Sequence, residues 1–134
     1  MAPQPGTSAF YECTGLVAWA ASELHPAVGP FWGPIAGEIL ADRTANLKVK
    51  LAYLNDSLLA GGKKFLVGDA FSIADSYTCI ILSWMVEPYP GQAKGLPAIL
   101  DAYPVAKKYF EGIMALPNVK AAQARMAEKP SNVL

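Results

Sequence analysis

The stretch Phe65-Leu66-Val67-Gly68-Asp69-Ala70-Phe71-Ser72-Ile73-Ala74-Asp75-Ser76-Tyr77-Thr78-Cys79 decides the fold. Gly68-Asp69 signals a turn, and Ser72 stands three residues before Asp75, just ahead of an apolar run. That spacing predicts a helix start of the capping-box kind. The Ser72 hydroxyl would accept from the Asp75 N–H, and the Asp75 carboxylate would reach back to the Ser72 N–H. The carboxylate also meets the positive end of the helix dipole. The helix that follows, Ile73 to about Met85, carries Ala74, Tyr77, Cys79, Ile80, Ile81, Leu82 and Trp84. It is apolar nearly all round, which predicts the buried central helix of an all-α domain. Ser72 and Asp75 are therefore read as structural.

Outward from this stretch the chain reads as a bundle of about five helices, with no strand pattern and no repeat. Helix one spans about Ser8 to Leu24, capped by Thr7 or Ser8 and ended by His25-Pro26. Helix two spans about Ile35 to Ala60. Its stripe of Leu40, Leu47, Leu51, Leu54 and Leu58 marks one helical face, and Gly61-Gly62 stops it. These two form an antiparallel pair. After the capped helix, Pro88, Pro90, Gly91, Gly95 and Pro97 mark a loop. A fourth helix follows from about Ile99 to Ala115, with Pro104 in its first turns. Leu116-Pro117-Asn118 breaks it, and a short helix covers about Val119 to Ala127. Residues 1–7 read as a disordered leader, 8–128 as one domain and 129–134 as a loose tail.

Composition narrows the function classes. Eleven Lys and Arg balance eleven Asp and Glu in 134 residues, so charge offers no case for nucleic acid or an anionic membrane. Charged residues make up 16%, against about 25% in a typical soluble domain. With 53% apolar residues, such a domain is expected to carry a face that something covers. No run is long enough for a membrane span and no signal peptide is visible. Cys13 and Cys79 have no metal or redox spacing, so both read as buried, reduced thiols of a cytoplasmic protein, and no metal site is expected.

The capped segment resembles the core helix of the C-terminal domain of cytosolic glutathione transferases, where a Gly-Asp-x-Phe-[Ser/Thr]-x-Ala-Asp stretch caps that helix. Ser22-Glu23-Leu24-His25 followed by Pro30-Phe31-Trp32-Gly33-Pro34 resembles the first long helix and turn of the bacterial, beta-type enzymes. Leu51-Ala52-Tyr53-Leu54-Asn55 is similar to the end of their second helix. Leu82-Ser83-Trp84 and Met114-Ala115-Leu116-Pro117-Asn118-Val119 fit the later ones. The likeness spans roughly residues 8 to 128. In that family a thioredoxin-like domain comes first and supplies the thiol-activating residue. The resemblance therefore implies a second domain standing alone, whose open face is covered by a thioredoxin-like partner domain or a second copy in a homodimer. It also implies glutathione as cofactor and a hydrophobic, electrophilic small molecule as substrate, with thiol transfer or double-bond isomerisation as the chemistry.

His25 is the single histidine, and histidine is the side chain type that titrates near neutrality. Taken alone, it reads more readily as a partner for carbonyls at a helix C-terminus. The resemblance places it beside glutathione as a candidate catalytic group, able to donate to a thiolate or a substrate oxygen. It likewise implies that Phe10, Tyr11, Trp32 and Trp84 line the glutathione and substrate site, with Trp19 on the same helix as Phe10. Core packing is the alternative for each. The beta-type pattern has Lys after the histidine and Arg before the last proline of the turn; Pro26 and Gly33 stand there instead. Cys13 and His25 on one straight helix would be about 18 Å apart, too far to form a catalytic pair. A non-catalytic interaction or assembly module, or an apolar-ligand binder without glutathione, is the alternative to an enzyme.

Overall fold

The computed structural model describes residues 2–86 and 95–127. The expected loop positions Pro88, Pro90 and Gly91 and the tail from Glu128 lie outside the described residues. The described residues form helices and turns with no strand. In order the helices are α1 (Ser8–Trp19), α2 (His25–Val28), α3 (Gly37–Ala52), α4 (Ile73–Val86), α5 (Leu96–Asp101), α6 (Pro104–Met114) and α7 (Pro117–Ala127).

Helix one does not stop at His25-Pro26. A π-helical turn, Ala20–Leu24, carries α1 straight into α2, and a 3₁₀ turn, Gly29–Trp32, follows. Proline inside an α-helix lacks an N–H and its ring collides with the carbonyl four residues back. The wider π turn, in which the His25 N–H reaches the Ala20 carbonyl, absorbs that collision before Pro26 arrives. His25 is thus held in a continuous helix whose pitch changes beneath it. A second π turn, Tyr53–Leu58, extends α3. The two long helices are antiparallel, as expected. Trp19 packs on Tyr53 with ring centres 5.5 Å apart, and one turn later Glu23 pairs with Lys50.

Pro104 divides the expected fourth helix into α5 and α6. The residue before a proline avoids the α region, and Tyr103 accordingly takes φ −120°, ψ 77°. The new helix start has no side-chain cap of its own. Asn55, on the π turn after α3, supplies one. Its Oδ1 accepts from the N–H groups of Val105 and Ala106 at 2.9 and 3.0 Å. A cap donated across the bundle satisfies orphan donors and fixes the angle of α6.

α4 lies at the centre. Ala74, Asp75, Thr78, Cys79, Ile81, Leu82 and Met85 are buried against α1, α5 and α6, among core residues Leu24, Phe31, Leu47, Leu51, Leu54, Leu66 and Leu100. The expectation that α4 is covered on every side is not met. Ile73 and Ile80 are 47% and 50% exposed, and Tyr77 and Trp84 are half-buried. These four recur at steps of four, three and four, which is one stripe along the helix. An apolar stripe and an apolar core face look identical in sequence, and only the neighbours distinguish them.

Candidate functional site

The two faces of α4 carry two polar constellations. On the buried side Asp75, fully excluded from solvent, accepts four hydrogen bonds at 2.8 Å. The donors are the Leu66 N–H, the Ser72 N–H, the Ser72 hydroxyl and the Tyr109 hydroxyl. The carboxylate reaches back to the Ser72 N–H as the spacing predicts. The Ser72 hydroxyl, in contrast, donates to the carboxylate and does not accept from the Asp75 N–H. An ionised carboxylate is the stronger acceptor and has lone pairs to fill. Burial pushes the neighbouring Cys79 thiol up to about 12 and raises the Tyr109 phenol above its ordinary range. These groups stay neutral and serve the scaffold.

On the open side, His25 and Trp32 approach Trp84 from helix one and its following turn. The His25 ring stands edge-on to Trp84 at 5.0 Å, and Trp32 stands edge-on to Trp84 at 4.8 Å. Tyr77, one stripe position before Ile80, reaches His25 with its hydroxyl 2.8 Å from Nδ1. His25 is half-buried and Trp32 is 48% exposed, so the cluster opens to solvent. Flat apolar walls around one imidazole suit a largely apolar ligand with a polar end.

The structure thus brings His25, Trp32 and Trp84 together and adds Tyr77, which the sequence reading left within the apolar run. It places Phe10 and Tyr11 elsewhere. They pack against each other at 5.7 Å at the start of α1, about 20 Å along the helix from His25. Phe10 lines a shallow open groove of 180 Å³ with Pro3, Cys13, Thr14, Val17 and Ile73. Tyr11 is 66% exposed. Trp19 faces α3 and not the cluster. The stripe of α4 runs from this groove, at Ile73, to the cluster, at Trp84. The two sets of aromatics are the ends of one open apolar face. Among the described residues no group of His, Cys, Asp and Glu could hold a metal ion.

Residues 40–125 match the family described as glutathione S-transferase, C-terminal domain. The chain belongs to the glutathione transferase family. Three solved bacterial structures agree with that assignment. It is 31% identical to a glutathione transferase from Methylococcus capsulatus, over 94% of this chain and 58% of that one, with a TM-score of 0.77. A sphingomonad glutathione S-transferase complexed with glutathione shares 29% identity over 96% of this chain and 59% of that one, TM-score 0.74. The beta-class glutathione S-transferase of Sphingomonas chungbukensis shares 28% over 92% and 57%, TM-score 0.72. This chain therefore spans less than three-fifths of the length of each of these three transferases, in keeping with its match to the C-terminal domain of the family.

Proposed function

We propose that this chain is the substrate-side domain of a glutathione-transferase-type enzyme, with His25 as the group that assists the reaction. The observation that carries the reading is the open cluster itself: one imidazole at the mouth of a tryptophan-lined surface. Glutathione is the thiol this reading calls for, supported by the glutathione-bound sphingomonad relative. The second substrate is a hydrophobic electrophile stacked on Trp32 and Trp84. Adding a thiolate to such a molecule, or adding and eliminating it to move a double bond, needs proximity and a donor for the developing anion. His25 supplies that donor. A thioredoxin-like domain, on this chain's own polypeptide or another, or a second copy of the chain, covers the α4 stripe and brings the activated thiol. The unpaired, buried Cys13 and Cys79 suit a reducing, cytoplasmic setting.

Calorimetric titration of the protein with glutathione, alone and with a thioredoxin-like transferase domain added, tests the reading. Saturable heat in either arm, together with a 10- to 1000-fold loss of turnover in His25→Ala, supports it. No heat in both arms removes it. A second reading, a non-catalytic interaction module, is favoured by exposed Ile39, Val49 and Tyr53 on the α3 side, away from the cluster. Full turnover in His25→Ala would move the weight there.

A further inference from the structure

His25 is oriented by two neighbours. Trp84 stands edge-on to its ring, and the Tyr77 hydroxyl lies 2.8 Å from Nδ1. Among the described residues Nε2 has no hydrogen-bond partner, and neither does the Tyr77 hydroxyl apart from Nδ1. A neutral imidazole has one N–H and one bare nitrogen, and the contact made by one nitrogen sets which carries the proton. Two arrangements satisfy the 2.8 Å contact. Either the phenol donates to a bare Nδ1, or Nδ1–H donates to the phenol oxygen. A phenol gives up its proton far more readily than a neutral imidazole N–H, so it is the better donor. The imidazole lone pair, in turn, is a better acceptor than a phenol oxygen. The second arrangement also leaves the phenol proton without an acceptor among the described residues. The first leaves nothing unpaired at the contact and puts the ring proton on Nε2.

We propose that Tyr77 is the positioning residue of this site: its hydroxyl holds neutral His25 in the Nε2–H form, making the imidazole a fixed hydrogen-bond donor facing the open cluster. The tautomer follows from the Tyr77–His25 contact together with the donor strength of a phenol and the acceptor strength of an imidazole nitrogen, without the transferase reading. Its chemical use, donation to a developing oxyanion or thiolate, rests on the transferase reading above. In this form His25 does not act as a base through Nε2, because that nitrogen already carries a proton. A substrate that acquires negative charge on oxygen or sulfur is served; one that must lose a proton to His25 is not.

The chain has one histidine, so imidazole ¹⁵N signals from ¹⁵N-histidine-labelled protein belong to His25 without assignment. Spectra recorded at alkaline pH, on the neutral ring, are expected to show a bare Nδ1 and a protonated Nε2. In Tyr77→Phe, which removes only a hydroxyl from a half-buried ring, the two signals should move toward each other as the tautomers mix. A protonated Nδ1 in the unmodified protein overturns the proposal, as does a Tyr77→Phe spectrum identical to the parent's. If Tyr77→Phe does not fold, the parent spectrum decides the matter alone. With a turned-over substrate, Tyr77→Phe should lower kcat about 10-fold with KM little changed, and add nothing to His25→Ala in the double variant. Independent, multiplying losses would overturn the proposal. A missing glutathione titration with the expected tautomer present would remove the transferase reading and leave the positioning contact intact.

Discussion

Asp75 and Tyr77 stand two residues apart on α4, and each presents an oxygen to a partner from a distant part of the chain, yet their surroundings are opposite. Asp75 is sealed, with four donors on its two oxygens and no exposure. Tyr77 is half-buried and its hydroxyl holds one partner among the described residues, His25, whose Nε2 has none there. A saturated buried carboxylate can only lose by change, because every donor around it becomes an uncompensated buried group. An imidazole with one nitrogen unpartnered among the described residues, beside exposed Trp32 and half-buried Trp84, has capacity left over for a ligand. On the proposed transferase reading the same helix divides stability from chemistry by face, and substitutions on the two faces should separate the two properties.

The largest effect should come from the sealed face. Asp75→Ala strands the N–H groups of Leu66 and Ser72 and the hydroxyls of Ser72 and Tyr109. Some of these donors find water after relaxation, so the expected loss is about 3–5 kcal/mol, less than the sum of their separate costs. Urea unfolding measures it, and a midpoint within error of the parent would mean that the carboxylate does not hold the loop to the helix.

Alkali should attack the same face. The Cys79 thiol is held up at about 12 by burial, while an ordinary thiol ionises near 9. The raised value belongs to the folded state, so the unfolded chain loses this proton first. Stability is fully present below pH 9 and falls as pH rises toward 12, at a limiting rate of about 1.4 kcal/mol per pH unit for this one group. Tyr109, also raised, adds to the fall above pH 10. Cys79→Ala should flatten the decline between pH 9 and 10. An unchanged slope in that variant would show that the thiol does not titrate with folding.

Trp84→Ala tests the border between the faces. A core tryptophan would cost several kcal/mol, but Trp84 is only half-buried, so about 2 kcal/mol is expected, with loss of its edge contacts to His25 and Trp32. A loss as large as that of Asp75→Ala would place Trp84 in the scaffold. Asn55→Ala, away from both faces, should cost about 1 kcal/mol and lower amide protection first at Val105 and Ala106. Uniform loss of protection along the chain would contradict a local capping role.

What the sequence makes legible is what lies close along the chain. Ser72 and Asp75 are three residues apart, and the carboxylate's reach back to the Ser72 N–H is readable from spacing and helix geometry, while the direction of the Ser72 hydroxyl is not. The Leu66 N–H nine residues before Asp75 and the Tyr109 hydroxyl 34 residues after it are not, since nothing local selects them. Asn55 shows the same limit, because its acceptor serves a helix start 50 residues away. His25, Trp32 and Trp84 are recoverable only through family likeness, and Tyr77 is hidden by the apolar run it belongs to. Phe10 and Tyr11 lie apart from the cluster. They share a helix with the approach to His25, but at 1.5 Å per residue that helix carries them to the other end of the open face. Pro26 misleads because a proline signals a helix end unless a π turn has prepared the backbone for it.

The smallest effect on folding is expected from His25→Ala. The imidazole contributes one hydrogen bond to a half-buried phenol and one ring edge to Trp84. After its removal the Tyr77 hydroxyl can turn to water, so no buried donor is stranded. The π turn that shapes this part of helix one is demanded by Pro26, not by the histidine side chain, and alanine is a better helix former at that position. The unfolding midpoint should then lie within about 0.5 kcal/mol of the parent. Turnover, in contrast, is expected to fall 10- to 1000-fold in the same variant if the imidazole assists the reaction. A near-zero change in stability with a large change in rate is the signature of a side chain on the open face. A loss of more than about 2 kcal/mol would instead make His25 part of the packing between helix one and α4, and the division of α4 into a scaffold face and a chemical face would fail.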